Sequence, residues 1–181
     1  MYSTRFEKWV AWLLLQETEF VRGHYGDFNY AKVDQPSGDP GGTTKFGIDQ
    51  RSHPSTNIAK LTVDQAVQIY WWEYWTPCGA ENMPMGWGEV LADIKVNGGD
   101  GPRMMQRAIN ASVPRGAQLV VDGRIGPLTV NAANIAGHDG LRVFLAMRQA
   151  RFNRLSAGGM SRYLKGWTRR NDALASFVGV A

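Results

Sequence analysis

The chain has 181 residues, of which 44% are hydrophobic and seven are tryptophan, enough for one buried core or for a catalytic lobe with a small second one. Its single cysteine, Cys78, excludes an internal disulfide and fits synthesis in a reducing cytoplasm. The most apolar run, residues 9–15, is too short to cross a bilayer, is flanked by acids and lacks a signal-peptide cleavage site. We therefore expect a soluble chain without a transmembrane segment.

The charge is divided unevenly along the chain. Residues 1–100 hold 8 Lys/Arg and 13 Asp/Glu, a net of −5, whereas residues 101–181 hold 12 and 3, a net of +9. A basic half attracts anionic polymers such as nucleic acid, lipid head groups or the bacterial envelope, although it also serves plain solubility. The sequence has no Lys/Arg run, zinc-finger spacing or RNA-binding aromatic motif, so the anionic envelope is favoured and no nucleic acid partner is expected.

The first predicted element is a helix over residues 5–21 with an apolar stripe at steps of three and four. The stripe consists of Phe6, Trp9, Val10, Leu13, Leu14, Phe20 and Val21. Glu17 occupies the same stripe, whereas Glu19 lies about 200° around the helix axis and points elsewhere. A carboxylate on an apolar face must be paired, hydrogen-bonded or neutral, and desolvation raises its pKa toward the range of a general acid. The alternative is a glutamate at a frayed helix end in contact with water.

Residues 22–50 form a glycine-rich segment with weak β character. Within it, the sequence from Asp39 to Gly42 has strong turn chemistry, and Thr43, Thr44, Phe46 and Ile48 favour a short strand or hairpin. An ordinary surface hairpin is the competing interpretation. Three aromatic residues of this segment either stack on sugar rings or pack against the small sheet, and they are Tyr25, Phe28 and Tyr30.

The middle of the chain contains two further predicted helices. The first begins with a capping box formed by Thr62 and Gln65 and ends before Pro77, with three tryptophans crowded at its end: Trp71, Trp72 and Trp75. The second buries Trp87, Val90, Leu91 and Ile94. On this second helix Asp93 and Asn97 are four residues apart and share a face, so Asp93 is expected to pair with a basic residue or to hold Asn97 as structural support.

The last part of the chain is helical with one tight turn. Pro102 begins a helix, Asp122-Gly123 form a turn, and another helix is entered at Pro127. The pattern of residues 139–156 predicts a long helix, and Arg148, Arg151 and Arg154 are expected to form a basic flank on it. A final helix contains Tyr163, Leu164, Trp167 and Leu174, with Arg169 and Arg170 predicted to be exposed.

Several of these segments, taken in order, resemble a known family. They are Glu17 at the end of an apolar helix, D-P-G-G-x-T-x-x-G-I over residues 39–48, and the downstream LTVDQAVQIYWWEYW, LADIKVNGG, VDGRIGPLT and YLKGWTRRNDAL. Together they resemble the muramidases of glycoside hydrolase family 108 and, more distantly, phage lysozymes. VDGRIGPLT also resembles the D-G-x-x-G-P-x-T signature of small peptidoglycan-binding modules. The family usually reads E-G-G at the acid, whereas this chain reads Glu17-Thr18-Glu19.

The resemblance implies roles for individual residues. A glycosidase needs an acid for the leaving oxygen and a group that handles the oxocarbenium-like carbon. Glu17 is expected to be the acid, Asp39 the base or electrostatic stabiliser, and Thr44 the residue that orients the attacking water. Asp34 and Asp27 are substitutes for Asp39. Substrate contacts are expected from Thr43, Tyr30, Phe46 and Asn97.

No cofactor and no metal are expected. The three histidines, His24, His53 and His138, are scattered, and no metal-ligand spacing links them.

The sequence thus predicts a mainly α, lysozyme-like α+β fold with one small β-hairpin beside the catalytic cleft. Residues 1–97 are expected to form the catalytic lobe and residues 98–181 a basic helical lobe. The expected function is a monomeric muramidase that cleaves after N-acetylmuramic acid, made in a bacterial cytoplasm and acting on the wall after release, as a phage endolysin does. A lytic transglycosylase and a non-catalytic wall-binding protein are the alternatives.

Overall fold

The computed structural model describes residues 1–35 and 42–181. Over these residues the chain is mainly α-helical with a single two-stranded antiparallel hairpin, which confirms the predicted fold class. The helices are α1 (Thr4–Glu17), α2 (Val63–Ile69), α3 (Trp87–Asn97), α4 (Gly101–Ser112), α5 (Pro127–Leu155) and α6 (Ser161–Phe177). The strands are β1 (Thr44–Lys45) and β2 (Ile48–Asp49). No helix in these two ranges is long and apolar enough to cross a membrane.

The chain forms two compact units, Met1–Glu73 and Tyr74–Ala181. The predicted lobes, residues 1–97 and 98–181, divide the chain at a different point, and as a statement about function this division stays a prediction.

Helix α1 forms the core of the first unit. Its N-cap is Ser3, whose hydroxyl accepts a hydrogen bond from the backbone N–H of Phe6 at 3.1 Å. The helix buries five of the residues in the predicted stripe, Phe6, Trp9, Val10, Leu13 and Leu14, which confirms the apolar face.

The predicted extension of α1 to residue 21 is wrong. The helix ends at Glu17, because Thr18 is extended and the following backbone pairs with residues 30–32 instead. Lys32 N–H donates to Glu19 O at 2.9 Å, and Phe20 bridges Ala31. These inter-segment bonds satisfy backbone groups that would otherwise continue the helix. The helical wheel therefore does not apply beyond Glu17.

The hairpin has a two-residue turn with positive φ at both central positions, 56° at Phe46 and 76° at Gly47. This is the turn whose twist matches that of the flanking strands. Glycine adopts the second position without penalty, whereas Phe46 occupies a strained region for a residue with a Cβ. Phe46 is held there by its own burial and by Tyr70, whose hydroxyl donates to Phe46 O at 2.8 Å.

Helix α2 starts with the predicted capping box. Gln65 N–H donates to Thr62 Oγ1 at 3.3 Å, and Thr62 N–H donates to Gln65 Oε1 at 3.0 Å, which confirms this boundary. The helix continues as a π-helical segment, Tyr70–Trp75, that contains the aromatic cluster. Within this segment Trp75 is buried, whereas Trp72 is exposed.

The second unit is built from α3 to α6. Helix α3 buries all four predicted apolar residues, and the ring of Trp87 stacks on Phe144 of α5 with centroids 5.8 Å apart. Helix α5 has a break at Gly137, with φ of 54° and ψ of −147°. The break separates the segment entered at Pro127 from the helix predicted over residues 139–156.

A buried ionic cluster crosses the second unit, and it corrects two sequence predictions. Arg148, predicted to lie on a basic flank, is 2% exposed, and Arg170, predicted to be exposed, has a side chain only 11% exposed. Both pair with the fully buried carboxylate of Asp93. Desolvation lowers the pKa of Arg148, an effect that the charge of Asp93 opposes. Asn97 Nδ2 also donates to Asp93 Oδ2 at 3.3 Å, so Asp93 both pairs with basic residues and holds Asn97, which confirms its predicted supporting role.

Candidate active site

Glu17 is the last residue of α1, and its side chain is half-buried. A Cβ placed on Gly47 would lie 2.9 Å from both Cβ and Oε2 of Glu17 and 2.9 Å from the hydroxyl of Tyr70. The tip of the hairpin therefore packs directly against the carboxylate, and only a glycine leaves room for it. Gly47 itself is exposed, so this junction reaches the surface of the first unit.

Glu19, the competitor for the role of acid, lies outside this junction. Its side chain is 84% exposed and pairs with Lys32 at 3.5 Å across solvent. Such an exposed pair contributes little to stability.

Thr44 and Thr43 lie on and beside β1, both half-buried. The backbone of Thr44 pairs with Asp49 on one side and bridges Asp34 on the other, with both N–H···O bonds of the bridge at 2.8 Å. Thr43 O accepts from Gln50 N–H at 2.9 Å. The strand that carries these hydroxyls is thus fixed on both edges. Their contact with water or substrate stays a prediction.

The aromatic candidates have different environments. Tyr30 is 44% exposed, and its ring stacks on His24 with centroids 3.6 Å apart, so its predicted contact with substrate stays a prediction. Phe46 is 2% exposed and packs in the first unit, 6.3 Å from the ring of Phe28. The ring therefore has a packing role in the first unit, and the predicted contact between Phe46 and substrate stays a prediction.

The candidates for the second catalytic group are only partly described. Asp39, the first choice, lies outside the described residues. The substitute Asp34 is exposed, and Asp27 caps the 3-10 turn after it by accepting from Asn29 N–H at 3.1 Å. The roles of these carboxylates therefore stay predictions.

Asp49 is a carboxylate of the hairpin that the sequence analysis did not select. It lies opposite Thr44 in the ladder and accepts from the backbone N–H of Ser52 at 2.9 Å and from its hydroxyl at 2.7 Å. Burial alone would raise the pKa of Asp49, but the hydrogen bonds from Ser52 outweigh it, so the pKa lies below its usual value. Asp49 is therefore ionised at neutral pH. The D-x-x-S spacing was the available signal.

Two further residues of the junction, Gly47 and Tyr70, were also missed. A tyrosine on an otherwise apolar helix face indicates a buried hydroxyl that needs a partner, and that partner is the carbonyl of Phe46. Gly47 appeared only as one position of the D-P-G-G-x-T-x-x-G-I motif, and its packing role was not predictable from it, because the residue that it meets lies 30 positions earlier in the chain.

Asn97 and His53 each have a carboxylate-bearing partner of their own. Asn97 belongs to the second unit, where its amide bonds Asp93, and its predicted contact with substrate stays a prediction. His53 Nε2 lies 3.1 Å from a carboxylate oxygen of Glu73. Across residues 1–35 and 42–181, no three side chains of His, Cys, Asp or Glu gather as metal ligands would.

The described junction combines a half-buried carboxyl group, a side-chain-free approach at Gly47 and a rigid strand with two hydroxyls. A protonated carboxyl in such a place can donate to a leaving oxygen, and the missing side chain at Gly47 lets the hairpin tip approach that carboxyl closely.

Comparison with known families agrees with this chemistry. Residues 24–99 match the family described as Glycosyl hydrolase 108, and residues 100–172 match the family described as Predicted Peptidoglycan domain. The chain is therefore similar to glycosyl hydrolase 108 proteins over residues 24–99, followed by a region similar to a peptidoglycan domain. It is a glycoside hydrolase that acts on peptidoglycan, with peptidoglycan as its partner. The matched segment begins after Glu17, so the acid is assigned from its position against the hairpin.

The fold has a solved relative. The structure of SagA from Brucella abortus superposes with a TM-score of 0.69 at 23% sequence identity, covering 97% of this chain and 94% of SagA. At that identity the likeness supports the lysozyme-like fold and carries no residue roles. No curated protein is significantly similar in sequence.

Proposed function

We propose that this peptidoglycan hydrolase is an N-acetylmuramidase that cleaves the β-1,4 bond between N-acetylmuramic acid and N-acetylglucosamine, with Glu17 as its general acid. The observation that supports the proposal is the packing of Gly47 against Glu17, which places a half-buried carboxyl at a junction that reaches the surface of the first unit.

In this reaction the carboxyl of Glu17 gives its proton to the glycosidic oxygen while the bond from that oxygen to C1 of N-acetylmuramic acid breaks. Water then adds to the oxocarbenium-like C1 of N-acetylmuramic acid and gives up a proton, which balances the proton that Glu17 donated. Asp39 serves as base or electrostatic stabiliser, and Thr44 orients the water. The ring of Tyr30, which is 44% exposed, and the hydroxyl of Thr43 contact the sugars.

Replacing Glu17 by Gln tests the acid role. The expected result is a loss of about 10²- to 10⁴-fold in the rate of clearing bacterial sacculi, since glutamine has no proton to give. Glu19→Gln is the matched control, because that side chain is exposed and two residues away. Full activity of Glu17→Gln would overturn the assignment. Asp39→Asn should also lose activity, and Asp49→Asn shows whether the other hairpin carboxylate contributes.

Mass spectrometry of the released fragments tests the bond. A muramidase yields reducing N-acetylmuramic acid ends that have gained water. Anhydro ends would identify a lytic transglycosylase, and reducing N-acetylglucosamine ends would identify a glucosaminidase.

The proposal extends to the biological setting. We place the protein as a phage or prophage endolysin, made in a bacterial cytoplasm and acting on the wall after release. Its basic residues beyond position 100 hold it, as a monomer, on an anionic envelope. Expression in cells should lyse them only after the inner membrane is permeabilised. Binding to sacculi should weaken as salt is raised, and sedimentation should give a mass near 20.1 kDa.

A further inference from the structure

The second unit contains a half-open cavity of about 890 Å³ formed entirely by its own residues. It is bounded by the loop before α3, by one side of α3, by the turn of the D-G-x-x-G-P segment and by the first part of α5. Its volume is near the upper end of the range for ligand pockets, which suits a short peptide better than one sugar ring.

Hydrogen bonds with Gln106 hold the turn of the D-G-x-x-G-P segment, which forms one side of the cavity. The buried side chain of Gln106 donates to Asp122 Oδ1 at 2.8 Å and to Arg124 O at 3.1 Å, and it accepts from Gly123 N–H at 2.8 Å. A buried amide with three bonds to one turn fixes that turn before any ligand arrives, so the cavity is preformed.

The charge of the cavity is positive and unbalanced. Lys95 is the one charged side chain among the described residues that line it, and it is exposed and makes no ion pair within that described part. The ammonium lies near enough to Cys78, which also lines the cavity, to oppose the effect of burial on the pKa of its thiol. An unpaired cation in a concave site favours a ligand with a carboxylate.

The other polar groups are carboxamides. Asn82, Asn131 and Asn134 are exposed on the lining, and each amide can both donate and accept. Five glycines on the lining leave backbone groups open to close approach. None of the described lining residues is aromatic, so the cavity lacks the rings on which sugars stack. This lining complements peptide bonds and a carboxylate rather than a glycan.

We propose that this cavity binds the peptide stem of peptidoglycan, with a stem carboxylate on Lys95 and stem amides on the asparagines. The proposal rests on the proposed function, since it adds the stem as the second part of the same polymer that Glu17 cleaves. The stem is a short peptide with several free carboxylates.

Isothermal titration with the full chain carrying Glu17→Gln tests this without turnover. The probes are the tripeptide L-Ala-γ-D-Glu-diaminopimelate, the same tripeptide with its carboxylates amidated, and chitotetraose. The acidic tripeptide should bind, Lys95→Met should weaken it at least about tenfold, and amidation should have a similar effect. Lys165→Met is the matched control, because it removes the other lysine of the second unit outside the cavity and should leave binding unchanged.

Cys78 provides an independent measurement, since it is the single cysteine of the chain and lines the cavity. Saturating tripeptide should slow its alkylation by iodoacetamide several-fold, and chitotetraose should not. Binding of chitotetraose that Lys95→Met weakens would assign the cavity to the glycan, and absence of tripeptide binding would overturn the proposal. Clearing of sacculi by the unaltered chain reports on the proposed function separately, so the two failures are distinguishable.

Discussion

Replacing Gly47 by alanine tests the junction from which the acid was assigned. The new methyl group would lie 2.9 Å from Cβ and Oε2 of Glu17 and from the hydroxyl of Tyr70, and φ at this position is +76°. A positive φ costs a residue with a Cβ about 1 to 2 kcal/mol, and overpacking adds about 1 to 3 kcal/mol. Because the Cβ of Glu17 cannot rotate away, we expect a total loss of about 2 to 5 kcal/mol.

Gly26→Ala is the matched control for this change. Gly26 belongs to the same unit and has φ of +85°, but a Cβ there would have nothing within 4 Å, so it carries the backbone penalty alone. Denaturant unfolding of both variants separates the two contributions. Clearing of sacculi, measured where both variants are folded, should fall at least about tenfold for Gly47→Ala, because the hairpin is pushed from the acid. Gly26→Ala should remain near the unaltered rate.

Two results would refute this reasoning. The first is an equal loss of stability in both variants, which would mean that the methyl group at position 47 meets no resistance. The second is full activity of Gly47→Ala despite lower stability, which would separate the hairpin tip from the reacting group.

Three further predictions follow from the buried groups. Asp93→Ala should lower the free energy of unfolding by about 3 to 5 kcal/mol, because two guanidinium groups lose their buried partner. The control Asp139→Ala removes a carboxylate from an exposed ion pair and should change the free energy of unfolding by less than about 0.5 kcal/mol. Burial raises the pKa of Cys78 to about 11. The rate of its alkylation should therefore rise about tenfold per pH unit between pH 8 and 10, because only the thiolate reacts. A plateau of that rate below pH 9 would contradict this prediction. Tyr70→Phe should destabilise the hairpin by about 1 to 3 kcal/mol in thermal or denaturant unfolding, and Tyr25→Phe, at a side chain 76% exposed, should have little effect.

The local pattern of the sequence was sufficient to predict the buried faces of the helices. The buried stripe of α1, the capping box at Thr62 and the apolar face of α3 depend on residues three or four positions apart, and they appear as predicted. The end of α1 was not predictable in this way. The residues after Glu17 keep a helical spacing, but their backbone bonds go to residues 30–32.

The sequence by itself determined the helical class of the fold and the place of Glu17 on an apolar face, because both are properties of neighbouring turns of one helix. Only the tertiary structure decided what that carboxyl meets. Gly47, which packs against the carboxyl of Glu17, lies 30 residues further along the chain. Asp93 pairs with two arginines that lie 55 and 77 residues further along the chain. Such contacts depend on how the elements pack together, and no periodicity within one element encodes them.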